Sequence, residues 1–155
     1  TEQGFWKRVI KKAKYKGRAE EFKTVIEDIY YPNLAPDKKV LTVAEKLHQQ
    51  NIRTGILSNI SQKLGDYCAQ HQYYAGFEPV ILSYRLRIRK PDERIFHYAA
   101  EEAGVTQEKA ALLDDKKRNV DAARACGWSA AQFDISKTDN PEKDLEAVIE
   151  LLISC

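Results

Sequence analysis

From residue 37 onward the sequence alternates between stretches with helical spacing and short apolar runs. Ile52–Leu57 (IRTGIL), Pro79–Leu82 (PVIL), Ala110–Leu113 (AALL) and Ser129–Phe133 (SAAQF) read as strands. Helices are predicted over 37–50, 61–71, 92–103, 118–126 and 142–153 around and between them. Gly104 and Gly127 stand where the third and fourth of these helices should stop. Strands joined by helices run parallel, because a hairpin turn cannot reverse the chain twice through a helix. Right-handed crossovers then bury the sheet between two helical layers. The expected class is α/β, a three-layer Rossmann-like parallel sheet.

The first 35 residues carry no strand pattern. Phe5, Trp6, Val9, Ile10 and Ala13 have helical spacing. Phe22, Val25, Ile26 and Ile29 repeat it in a second helix that should stop before Pro32. The expected division is a helical accessory, residues 1–35, and an α/β core, residues 36–155. With 43% hydrophobic and 31% charged residues, the chain has the composition of a soluble globular protein and is expected to be cytoplasmic. No apolar run approaches the roughly 20 residues of a membrane span. The chain begins at Thr1 and contains no Met, which points to a processed or trimmed start. Cys68, Cys126 and Cys155 match neither a disulfide framework nor a zinc site and read as reduced thiols.

Three polar segments fall at the expected carboxyl ends of strands, where open α/β sheets bind ligands. In Leu57-Ser58-Asn59 a hydroxyl at a turn can bond a phosphate oxygen, although Ser58, Asn59 or Ser61 would serve equally as a helix N-cap. In Arg89-Lys90-Pro91-Asp92 the Pro and Asp make a helix start, and Lys90 is either a solvated neighbour or a cation aimed at a phosphate or carboxylate. Asp114 and Asp115 are adjacent carboxylates that repel unless a cation lies between them. Mg²⁺, a hard ion with oxygen ligands, suits that place; a strand-end Asp followed by a cap Asp is the plainer alternative.

Taken in order, these segments resemble motifs of the haloacid dehalogenase-like superfamily of hydrolases, most of which are Mg²⁺-dependent phosphatases. Gly55-Ile56-Leu57-Ser58-Asn59 is similar to its second motif, Leu82 to Phe96 (LSYRLRIRKPDERIF) to its third, and Leu113 to Ala123 (LDDKKRNVDAA) to its fourth. The likeness covers roughly residues 37–135. It implies phosphate held by Ser58, Asn59 and Lys90, with Lys90 also orienting a nucleophile, Mg²⁺ at Asp114 and Asp115, and Asn119 near the same site. A small phosphorylated metabolite would be the substrate. Segment 5–31 resembles the last part of a small helical cap, as in sugar-phosphatases and the phosphatase domain of epoxide hydrolases.

The resemblance has a gap. The family's first motif, a strand ending in Asp-x-Asp, carries the nucleophile that becomes phosphorylated. Asp28 and Asp37 are the only Asp residues before Ser58, and neither has a second Asp two residues on. In this family that strand lies centrally, between the strands of Ser58 and Asp114. The resemblance therefore implies a core lacking its first central strand and a chain inactive by itself. A preceding segment, or pairing with a second copy, would complete the sheet. A non-catalytic phosphate- or metal-binding remnant is the alternative, and dehalogenation ranks below both on family frequencies. Arg87 stands where the family usually has Gly.

Lys7, Arg8, Lys11, Lys12, Lys14, Lys16 and Arg18 form a basic face, but a net charge of +2 favours a solvated helix over nucleic acid. Arg85, Arg87 and Arg89 alternate with Leu86 and Ile88 and read as the flank of an edge segment or as an anion lure. Tyr30, Tyr31, Tyr73 and Tyr74 read as interior packing, and Cys68 and Cys126 as core residues on helices.

Overall fold

A computed structural model describes residues 7–9, 11–14, 16–22 and 25–153. It divides into two compact units, Thr1–Ala35 and Pro36–Cys155. In the first, residues 7–9 and 11–12 are helical, while Phe5, Trp6 and Ile10 lie outside the described residues. The described part of the second helix expected there holds Val25 in helical conformation and three short turns. These are 3₁₀ at Ala19–Phe22, a π turn at Ile26–Tyr30 and 3₁₀ at Tyr31–Asn33. Pro32 sits inside the last turn, not beyond it. It has no N–H to give to a preceding carbonyl, so regular α-helix cannot run through it. The Asn33 amide donates to the Ile29 carbonyl at 2.6 Å and closes that end. The basic residues from Lys7 to Arg18 are all exposed.

The second unit follows the expected alternation. Helix α1 is Lys38–Gln49, started by Asp37, whose carboxylate accepts from Lys39 N. Strand β1 is Ile56–Ser58, shorter than IRTGIL. Residues before it are committed elsewhere: Ile52 N donates back to Leu47 O of α1, and Asn51 has φ +61°. Gly55 passes so close to the neighbouring strand that a Cβ would lie 2.7 Å from Pro79 O. Helix α2 is Gln62–Gln70, capped by Ser61. Strand β2 (Val80–Leu82) leads into a single turn, α3 (Ser83–Leu86). Helix α4 is Glu93–Ala103, with Asp92 at its N-cap and Gly104 left-handed at its end. Strand β3 (Ala111–Asp114), helix α5 (Lys117–Ala125), strand β4 (Ser129–Gln132) and helix α6 (Pro141–Ile153) complete it. No helix among the described residues is long and apolar enough to cross a membrane.

The strands form two separate parallel ladders rather than one sheet. β1 pairs with β2 (Leu57 opposite Ile81), and β3 with β4 (Leu112 opposite Ala130). Ile56 N donates to Pro79 O, and Ser129 N to Ala110 O. By the alternation of a parallel ladder, Leu57 in β1 and Leu113 in β3 turn their peptide groups to the unpaired edges. A cavity of about 560 Å³ is walled by both ladders, with Leu57, Ile81, Leu112 and Leu113 among its lining residues and Val43 and Leu145 from helices.

The core that fixes this frame is Ile81, Ile95, Phe96, Ala99, Leu112, Val120, Ala123 and Ala130. Ile95, Phe96 and Ala123 are wholly inaccessible to solvent. Trp128 packs edge-on against Phe96, with ring centroids 5.8 Å apart. Cys68 is buried in α2 as expected, whereas Cys126 is only half-buried, just past α5. Cys155 lies outside the described residues.

Candidate active site

The carboxyl ends of β1 and β3 meet at Lys90. Its ammonium donates to Leu57 O at 2.5 Å and to Asp114 Oδ2 at 2.6 Å. Both side chains of the ion pair are at least nine-tenths buried. The ammonium thus takes the unpaired carbonyl of β1 and the terminal carboxylate of β3 at once. Buried charges persist only when paired and hydrogen-bonded, and this pair meets both conditions.

Asp114 accepts three hydrogen bonds within the chain, one of them on Oδ2. Its Oδ1 accepts from Lys116 N and from Asn119 Nδ2, both at 2.8 Å. Burial alone would raise its carboxyl, but the hydrogen bonds from Lys90 and Lys116, the Lys90 charge and the Asn119 amide outweigh burial and hold it below the usual carboxylate range. Asn119 is 2% exposed, and its Oδ1 has no partner among the described residues. A buried acceptor left open beside a carboxylate is a place for a donor or a cation.

The cation that the acidic pair calls for is therefore, in this structure, the Lys90 ammonium. Asp114 and Asp115 do not share it. Asp115 is exposed, and its nearest ion-pair contact is Lys116 at 3.9 Å. Among the described residues no group of three His, Cys, Asp or Glu side chains converges. The oxygens of Asp114, Asp115 and Asn119 still suit Mg²⁺, which commonly takes one or two carboxylates and completes its shell with water and substrate oxygens.

Ser58 closes β1, half-buried, and its hydroxyl has no partner among the described residues. It remains available as a donor. Asn59 is occupied differently. Its amide donates to Lys90 O at 2.7 Å and accepts from Lys90 N at 2.9 Å, so it clamps the Lys90 main chain. Ser83 does similar work and was not singled out in the sequence. Its hydroxyl donates to Ile60 O and accepts from Ile60 N at 3.0 Å, tying the loop after β1 to the end of β2. A Ser directly after an apolar strand was the available signal. Arg87 has φ +56°, the left-handed conformation that glycine adopts at no steric cost.

Such a site supplies a buried cation, a free hydroxyl, a strand-end carboxylate and an open amide oxygen, the components for neutralising and orienting an oxyanion. The fold is shared with solved structures. A putative β-phosphoglucomutase from Thermotoga maritima superposes with a TM-score of 0.74 at 19% identity, over 98% of this chain and 79% of that one. A haloacid dehalogenase (HAD) family enzyme from Bacteroides thetaiotaomicron, in complex with magnesium and inorganic phosphate, gives 0.58 at 22% identity, over 67% of this chain and 56% of that one. The match thus spans little more than half of the Bacteroides enzyme. An uncharacterized protein from Corynebacterium glutamicum gives 0.58 at 22% identity, over 76% and 85%. No curated protein matches the chain. A family model described as haloacid dehalogenase-like hydrolase matches residues 2–127, most of the sequence. The chain belongs to the haloacid dehalogenase-like hydrolase family.

Proposed function

We propose that the complete protein is a Mg²⁺-dependent phosphatase of small phosphorylated metabolites, and that this chain supplies phosphate- and metal-binding side chains of its site but not its Asp-x-Asp strand. The observation that carries this proposal is the Lys90 ammonium, buried between the Leu57 carbonyl of β1 and the Asp114 carboxylate at the end of β3. Phosphoryl transfer needs positioning and charge neutralisation more than covalent help from the protein.

In this proposal Ser58 donates its hydroxyl to a phosphate oxygen, and Lys90 carries the positive charge that offsets the phosphoryl group. Asn59 holds Lys90 in place through the main chain, a positioning role rather than the phosphate contact expected from the sequence. Asp114 and Asp115 would hold Mg²⁺, with Asn119 fixing the Asp114 carboxylate. When bound, the ion supplies charge stabilisation to the phosphoryl oxygens. The nucleophilic Asp comes from a strand that occupies the cavity between β1 and β3, at the edges toward which Leu57 and Leu113 turn their peptide groups, the Leu57 carbonyl already accepting from Lys90. A strand there would extend both ladders and fill the apolar gap, as edge strands readily accept.

The test is a phosphomonoester assay on a protein whose cavity is filled by a strand ending in Asp-x-Asp, joined ahead of Thr1. Ser58→Ala and Asp114→Asn are each expected to lower kcat/KM by about 10²-fold or more. Parental rates in both variants would refute the proposed roles. A non-catalytic binding role is the second reading, favoured by the three hydrogen bonds that hold Asp114 within the chain. It would show as Mg²⁺-dependent phosphate binding with no turnover in the strand-completed protein.

A further inference from the structure

A second place in this unit has the chemistry of an oxyanion site, on the outer side of the segment that carries Lys90. From Tyr84 to Lys90 the side chains alternate between the interior and solvent. Leu86 and Ile88 pack against the core, while Arg85, Arg87 and Arg89 are exposed. An open pocket of about 510 Å³ lies there, lined by Ser83, Tyr84, Arg87, Arg89 and Asp92 among others.

The partners of these groups decide what the pocket offers. The Ser83 hydroxyl is spent on Ile60. The Tyr84 hydroxyl donates to Asp66 at 3.0 Å and accepts from Arg85 Nε at 3.2 Å, so Arg85 is engaged as well. Asp92, the one acid named in the lining, is held by Arg94 through two contacts, Nη2–Oδ2 at 2.6 Å and Nε–Oδ1 at 3.0 Å. Arg87 and Arg89 are left, and neither guanidinium has an acidic partner among the described residues. The backbone at Arg87 adds an independent observation. An Arg at φ +56° bears a steric cost that Gly would not. Strain of this kind collects where a side chain has a task.

We propose that Arg87 and Arg89 form a binding site for a phosphate dianion, either free phosphate or the phosphoryl group of an organic phosphate, separate from the site at Lys90. Two guanidiniums on one side of the chain match two negative charges and offer paired N–H donors to its oxygens. The pocket has room for more than the phosphoryl group alone.

The test is calorimetric titration of the 155-residue chain with inorganic phosphate and, separately, with glucose 6-phosphate. The double variant Arg87→Gln/Arg89→Gln is expected to bind about tenfold more weakly, whereas Arg85→Gln binds as the parent does. Tighter binding of the sugar phosphate would assign an organic ligand, and equal binding the free ion. Arg87→Gly separates ligand binding from folding: it should melt no lower than the parent, because the strain is relieved, yet bind more weakly. Unchanged affinity in the double variant overturns the proposal. So does an equal loss in Arg85→Gln, which would mean diffuse attraction to any arginine.

Discussion

At the scale of single residues, the Lys90–Asp114 pair governs this site. Removing one partner leaves an uncompensated buried charge. Lys90→Met is expected to cost about 3–5 kcal/mol in urea unfolding, and the double variant Lys90→Met/Asp114→Leu clearly less than that. A double variant as unstable as Lys90→Met would mean that the pair stabilises the fold as an ion pair and not only as a mutual neutralisation. Asp114 was legible in the sequence because it ends an apolar run, and Lys90 because it stands just before the Pro91-Asp92 helix start. Their pairing with one another was not, since it joins residues 24 positions apart. The same holds for Asn59, whose two bonds reach Lys90 across 31 positions. Local pattern shows that a polar residue stands at a strand end and leaves open what that residue touches.

At the scale of elements, helix α4 couples the core to the site. Its buried face, Ile95, Phe96, Ala99 and Ala100, packs inward while its N-terminus follows Lys90 and Pro91. Phe96 is wholly buried, and Phe96→Ala should destabilise by about 3–5 kcal/mol, read from the shift of a urea midpoint at constant slope. The cap of this helix is sensitive to acid. The hydrogen bonds from Arg94 hold the Asp92 carboxyl at about 2, below its unfolded value near 4. A folded value lower than the unfolded one means that the cap contributes fully above about pH 4 and is lost as the pH falls toward 2. Thermal melts should show that Asp92→Asn loses less stability than the parent between pH 4 and pH 2; an identical loss would contradict the assignment. The helices of this unit were readable from their spacing and stop residues, such as Gly104. Strand β1 was overextended, because Ile52–Thr54 is apolar enough for a strand yet is tied to α1 and to the turn before β2 through Leu47 O and Glu78 N. In the first unit Pro32 marked a helix end, but the segment before it coils as π and 3₁₀ turns, which no 3.6-residue spacing reveals.

At the scale of the whole molecule, the expected parallel sheet is present as two ladders with an apolar cavity walled by both. The parallel pairing was legible because strands joined by helices allow few arrangements. The separation of the ladders was expected from the lack of an Asp-x-Asp strand in the sequence, not from the pattern of what is there. The central claim is that this chain holds a phosphoryl-transfer site without its nucleophile. Mg²⁺-dependent hydrolysis of a small phosphomonoester tests it most directly. The expected result is no turnover by the 155-residue chain and turnover once a strand ending in Asp-x-Asp fills the cavity, lost again in Asp114→Asn. Turnover by the 155-residue chain alone, abolished by Asp114→Asn, would contradict it.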